Sequence, residues 1–496
     1  MIVRLSFLIL FFACMVIVGL YSRKHAGNVN DFVLGGRSVG PWLTAFAYGT
    51  SYFSAVVFVG YAGQFGWKYG ISSTWIGLGN AIIGSLIAWL VLAKRTRIMT
   101  QHIDAATMPD FFGKRYDSRA LKIAASVIAF VFLVPYTASI YNGLSLLFEM
   151  AFNVPYSVCV ILMASLTGLY VILGGYMATA INDFIQGMIM LVGIVLVIFV
   201  VLKINGGFIE ALNSLSQFES DITVTYGQKG VFTSFFGPDP LNLLGVIILT
   251  SLGTWGLPQM VHKFYAIKSE KSIKTGTLIS TIFAVIISGG CYFLGGFGRL
   301  TSSADIYKSD GSVIYDAIIP TMLSELPNIL LGIIIVLVLS ASMSTLSSLV
   351  LTSSSTITID IIKDTLFKKV NEKQQLLCMR ILIVIFIAVS VILALNPPTF
   401  IAQLMGISWG ALAGAFLAPF LYGLYLKKVS KLAVWSSFIL GVGITVSNMF
   451  LKYASPINAG AIAMIAGLIA VPIISLITPK LDKKFTENIF KCYENN

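Results

Sequence analysis

Charge is scarce in this 496-residue chain. Asp, Glu, Lys and Arg make up 11% of it against 57% hydrophobic residues, and the mean hydropathy is +0.89. A soluble domain carries about a quarter charged residues, so that class is excluded. Histidine is scarcer still, with only His25, His102 and His262. The five cysteines, Cys14, Cys159, Cys291, Cys378 and Cys492, show neither paired nor metal-ligand spacing and lie in apolar runs or at the tail. No disulfide framework or zinc site follows. A Walker A loop is missing, which sets ATP-driven chemistry aside. The net charge of +12 does not point to nucleic acid, because the lysines and arginines fill short gaps between apolar runs and form no basic folded face.

What is abundant is long apolar sequence. Thirteen runs have the length an α-helix needs to cross about 30 Å of hydrocarbon: 5–21, 42–64, 72–93, 123–151, 154–173, 178–202, 241–261, 276–297, 328–357, 377–395, 400–424, 432–451 and 459–477. The chain therefore reads as an all-α polytopic protein of the cell membrane whose immediate partner is the lipid bilayer, with no nucleic acid and no obligatory protein partner evident. An odd count puts the termini on opposite sides. One side holds only Arg4, Lys68, Lys203, Lys229, Arg299, Lys308 and Lys452, leaving 26 of the 33 basic residues, Lys263 among them, on the other. By the positive-inside rule the N-terminus is outside and the C-terminus inside. The first run has Arg4 before it and Arg23-Lys24 after it, the reverse of a cleaved signal, and reads as a retained helix. Cys14 follows Phe-Phe-Ala, a poor lipoprotein cleavage match, and reads as lipid-facing.

The expected organisation is an extra N-terminal helix (1–22), a first core repeat (42–202), an outer connection (203–240), a second core repeat (241–424), two further helices (432–477) and a cytoplasmic tail (478–496). Residues 208–218 form an amphipathic stretch that reads as a surface helix, and 300–327 is a polar outer loop. Five core spans per half is an odd number, so a repeat between the halves would be inverted, as in many ion-coupled carriers whose sites lie at discontinuous helices. Matching positions supply two candidates, Tyr48 to Ala55 and Leu249 to Gln259. Both carry Gly and hydroxyl residues mid-span, and Pro258 removes a backbone donor. Close helix packing is the competing reading of such small residues.

The strongest local signal is Ser340-Ala-Ser-Met-Ser-Thr-Leu-Ser-Ser348, where Ser344, Ser347 and Ser348 share one helical face and Thr345 adjoins it. Hydroxyls in a membrane helix often bond back to their own carbonyls. A cluster this dense equally supplies the neutral oxygens a hard monovalent cation wants, with one carboxylate to match. Asp183 is that carboxylate, set within an apolar span where an ionisable group costs on the order of 3 kcal/mol. The competing reading is an interfacial carboxylate paired with water or a lysine.

Residues 32–42 (Phe-Val-Leu-Gly-Gly-Arg-Ser-Val-Gly-Pro-Trp), 174–183 (Gly-Gly-Tyr-Met-Ala-Thr-Ala-Ile-Asn-Asp) and 343–348 (Met-Ser-Thr-Leu-Ser-Ser) carry a resemblance. Over essentially its whole length the chain resembles the sodium:solute symporter family, most closely the sodium/proline branch. The resemblance implies a LeuT-type 5+5 inverted-repeat fold and Na+ as the coupled ion. It implies one sodium site from the carbonyls of Thr50, Phe53 and Ala341 with the hydroxyls of Ser344 and Thr345. A second, found in some members, would use Asp183, Ser344, Ser347 and Ser348, giving two sodium ions per cycle. Proline transporters carry an aspartate where this chain has Tyr52 and aromatic residues at Thr250 and Thr254, which counts against proline, while Tyr136 matches an aromatic position of their pocket. Substrate-pocket candidates are Tyr52, Ser54, Tyr136, Asn142, Thr254, Trp255, Gln259, Gln403 and Trp409, each also readable as packing or an interface anchor. With no buried Arg or Lys in view, freed amides at a helix break would receive an anionic group. The expected function is a sodium-coupled symporter importing a small polar solute (amino acid, carboxylate or sugar) by alternating access, and not an enzyme. The alternatives are a proton-coupled carrier of the same fold with Asp183 as acceptor, an intramembrane acyltransferase or protease, or a sensor. The enzyme would need a nucleophile beside a base, and the three histidines sit at cytoplasmic edges.

Overall fold

A computed structural model describes residues 2–152, 154–301, 303–324, 326–366 and 371–494. Among them thirteen helical spans run α1 (Ile2–Ser22), α2 (41–69), α3 (74–102), α4 (Arg119–Phe152), α5 (156–174), α6 (176–204), α7 (Pro240–Ala266), α8 (Glu270–Leu300), α9 (Asn328–Thr356), α10 (Glu372–Leu395), α11 (Ile401–Tyr425), α12 (Lys431–Leu451) and α13 (Pro456–Ile477). The five-helix halves are α2–α6 and α7–α11. α1 packs on α5, α6 and α9, and α12 and α13 pack on α11. α9 and α11 are the most enclosed of the long helices.

The breaks fall where the small and hydroxyl residues stand. α2 unwinds at Phe53, which is extended (φ −111°, ψ 102°). Ser54 then opens the second half, its side chain accepting from Val56 N at 3.2 Å and its carbonyl from Val57 and Phe58. α7 stops after Leu252, turns through Gly253–Trp255, and restarts at Pro258. Leu257 is extended (ψ 120°), the conformation a following proline enforces, and Pro258 takes the first helical position, where no N–H is needed. Gly175 separates α5 from α6 at φ +54°, ψ −145°, a region open in practice to glycine alone. A Cβ there would also meet the Phe32 ring at 2.8 Å.

Contacts at each end agree with the side assignment from charge. On the lysine-rich side Lys94 pairs with Glu270 and Lys431 with Asp117, while Arg97 donates to the carbonyls of Ile267 and Lys268. The tail helix Lys483–Phe490 docks at the same end, where Arg115 lies over Phe490 and the Tyr493 hydroxyl reaches the Arg95 carbonyl. On the other side Arg299 pairs with Asp221 and Trp75 donates to Phe235 O. The outer connection forms a helix, Phe208–Ser216, whose Ala211 and Leu215 pack with Phe232 and Phe297.

Candidate ion and solute sites

The hydroxyl cluster of α9 faces the break in α2. Ser344 Oγ lies 3.2 Å from Thr50 O, 2.9 Å from Ser340 O and 3.1 Å from Ala341 O. Thr345 Oγ1 lies 3.1 Å from both Thr50 O and Ala341 O. Two hydroxyl protons thus face three carbonyl oxygens, those of Thr50, Ser340 and Ala341, so acceptors outnumber the protons available. The Phe53 carbonyl, at the break itself, accepts no backbone hydrogen bond among the described residues. Oxygens held about 2.4 Å from a hard cation stand about 3.4 Å apart in an octahedral shell, close to these separations. Neutral oxygens of α2 and α9 therefore converge beside the break.

The remaining hydroxyls divide. Ser342 bonds back to Val338 O at 2.7 Å and Ser347 to Ser344 O at 2.9 Å, the local pattern a membrane helix offers any serine. Ser348 Oγ instead lies 2.8 Å from Ser51 Oγ and accepts from Lys263 Nζ at 2.9 Å. Asp183 is wholly buried in α6, and among the described residues neither carboxylate oxygen is in a hydrogen bond. Lys263 Nζ stands 3.8 Å from it. The charge pattern had put Lys263 in a cytoplasmic loop. The helix restarted by Pro258 carries it back into the bundle, where its side chain is 3% exposed. Ser51 and Lys263 thus stand beside candidates read from the sequence without having been singled out there. The signal was available in part, since five residues past a helix-opening proline is still within that helix.

Of the solute candidates, the fold gathers several around Trp409. Its ring centroid lies 6.1 Å from Tyr52 and 5.8 Å from Tyr136, edge-on to the latter. The Tyr136 hydroxyl points between Ser54 and the Trp409 indole without a well-formed bond to either, and Trp409 Nε1 has none. Tyr52 donates to Thr250 O at 2.5 Å, and Thr254 to Gly84 O at 3.1 Å. Gln259, just beyond Pro258, is buried with both amide atoms unbonded. Three candidates lie apart from this cluster. Trp255 donates to Ile83 O at 3.0 Å, and the Asn142 carbonyl oxygen is taken by Tyr156. Gln403 accepts from Thr399 and lines an outward-side cavity of about 450 Å³ with Gln64, Lys68, Tyr315 and Phe400.

Two interrupted helices facing a hydroxyl-rich third, inside a helical membrane bundle, define a LeuT-type secondary transporter. The chain belongs to the sodium:solute symporter family, whose profile matches residues 32–441. It is 28% identical over 488 residues to the osmoregulated proline transporter OpuE of Bacillus subtilis, covering 98% of this chain and 96% of that one. The sodium/proline symporter of Staphylococcus aureus is 29% identical over 487 residues, 96% of this chain and 92% of its own. Among solved structures, a Na+-coupled sialic acid symporter in its substrate-bound outward-open state matches with TM-score 0.79 at 18% identity, over 97% of this chain and 98% of that one. The nucleobase-cation-symport-1 transporter Mhp1 in a closed conformation gives 0.54 at 13% identity, over 92% and 97%. The protein is a multi-pass sodium-coupled symporter of small organic solutes in the plasma membrane.

Proposed function

We propose that the chain imports a small polar solute with two sodium ions by alternating access. The first ion is held by the carbonyls of Thr50, Phe53 and Ala341 and the hydroxyls of Ser344 and Thr345. The second is held by Asp183 with Ser344, Ser347 and Ser348. The observation that carries this reading is the surplus of acceptors over protons between the α2 break and α9. The solute sits against Tyr52, Tyr136 and Trp409, with Ser54, Thr254 and Gln259 supplying polar contacts. The relatives named as proline transporters favour an amino acid. Tyr52, Thr250 and Thr254, in place of the aspartate and aromatic residues of the proline branch, argue for a solute other than proline. The driving force is adequate: about 100 mV contributes about 2.3 kcal/mol per charge, and a tenfold sodium gradient adds about 1.4 kcal/mol. Two ions then supply about 7 kcal/mol for a neutral solute.

A thermal-shift screen of the purified protein against amino acids, carboxylates and sugars, in sodium and in potassium at equal ionic strength, tests the reading. Linkage requires sodium and solute to tighten each other by one common factor. Equal solute affinity in the two salts, together with uptake that follows an imposed pH gradient, moves the coupling to protons.

A further inference from the structure

Lys263 stands where the second ion is expected. Its ammonium lies between Asp183 (3.8 Å) and Ser348 (2.9 Å), two of the four residues of that site. The Tyr176 ring forms a third wall, its centroid 5.3 Å from Nζ. A sodium ion drawing on the same carboxylate and hydroxyl would share this space with a like charge, so the two cations exclude one another. The lysine is also a loose occupant. A charge-assisted bond to a carboxylate closes to about 2.7–2.9 Å, yet Lys263 stays 3.8 Å away and, among the described residues, neither Asp183 oxygen has a hydrogen bond. Ser348, the one group among the described residues that the ammonium bonds, is shared with Ser51. Lysine is a point charge on a four-carbon stem that can swing aside, which a bidentate, stacked arginine does less readily.

We infer that Lys263 is a tethered counter-ion. It fills the Asp183–Ser348 site when sodium is absent and is displaced when the second sodium binds, so that the buried carboxylate is neutralised on the loaded and the empty legs of the cycle alike. This rests on the two-ion reading above and adds a competitor to it. An ammonium occupying the site about nine-tenths of the time weakens apparent sodium affinity about tenfold.

The test is sodium titration of purified protein and of proteoliposomes, with potassium holding ionic strength fixed. Lys263→Gln keeps a donor for Ser348 and removes the competing charge. It is expected to lower the sodium half-saturation by about tenfold and to enlarge the sodium-induced rise in melting temperature. Adding Asp183→Asn to it should abolish that enlargement. A half-saturation and thermal response equal to wild type, or a weaker sodium response, overturns the inference. Should Lys263→Gln fail to accumulate, Lys263→Arg serves instead: its fork grips Asp183 more firmly, so half-saturation should rise at least about threefold, and no change overturns the inference. A wild type that responds alike to sodium and potassium defeats the symport reading itself, a result distinct from a sodium-responsive wild type with an indifferent Lys263→Gln.

Discussion

Ser344 is the one hydroxyl in reach of Thr50 across the helix break that is also assigned to both ion sites, and this makes the serines of α9 separable by experiment. Ser344→Ala removes a ligand from both sites. Thr345→Val touches only the first, and Ser348→Ala only the second, where it also removes the hydrogen bond that Ser348 accepts from the Lys263 ammonium. A hydrogen bond to a charged group contributes about 1.5–3 kcal/mol, against about 1 kcal/mol for a neutral one. The sodium half-saturation should therefore rise by about tenfold or more in Ser344→Ala and Thr345→Val, most in Ser344→Ala, with melting temperature in sodium-free buffer changing far less. Ser348→Ala should raise half-saturation less, because it also loosens the competing ammonium, and should lower that melting temperature. Wild-type half-saturation in all three would reduce the cluster to back-bonded packing, as Ser342 already is. The density of hydroxyls in 340–348 was legible in the sequence, as was the isolation of Asp183. Lys263 was not. It lies two residues past an apolar run whose edge hydropathy locates only to within a few residues, and its partner is 80 positions earlier in the chain. Asn142 and Gln403 could not be sorted from Tyr136 and Trp409 either, because mid-span polarity does not say how near the outer end a side chain lies or which neighbour claims it.

Helix ends decide the site at the next scale. The break in α7 could be read from Pro258, which forces Leu257 extended. The break in α2 has no proline and was inferred from its counterpart in the other half. The start of α11 was read from the sequence to within one residue, but not what holds it: Ile401 N donates at 3.1 Å to Asp316, on a short helix of the outer loop. Burial pushes the Asp316 carboxyl up to about 6, and the Ile401 amide offsets only part of that. A carboxyl whose pKa is higher folded than unfolded adds stability that is fully present below about 3.8 and is lost as pH rises through about 6. Above that window the charged form costs up to about 3 kcal/mol. Asp316→Asn keeps an acceptor for Ile401 and removes the charge, so it should raise the melting temperature at pH 7.5 and leave it nearly unchanged at pH 4. Parallel melting curves for variant and wild type across that range would show Asp316 hydrated at no cost.

Across the whole molecule, charge must be conserved through the cycle, and this is where Asp183 is tested. It is the single negative charge proposed in either ion site, buried in α6 with the Lys263 ammonium of α7 at 3.8 Å. Asp183→Asn keeps the size of the side chain and removes the charge that offsets a buried cation. The first site, built wholly from the neutral oxygens of Thr50, Phe53, Ala341, Ser344 and Thr345, has no part in that loss and should persist. Wild-type proteoliposomes should then show a sodium Hill coefficient above one and more charge moved per solute than Asp183→Asn. The variant should still accumulate solute on a sodium gradient, with the driving force falling by about 3.7 kcal/mol, the share of one ion, hence a solute ratio lower by between about two and three powers of ten. If Hill coefficient and charge-to-solute ratio are the same in both, one ion drives transport, and Asp183 and Lys263 are a buried ion pair joining α6 to α7.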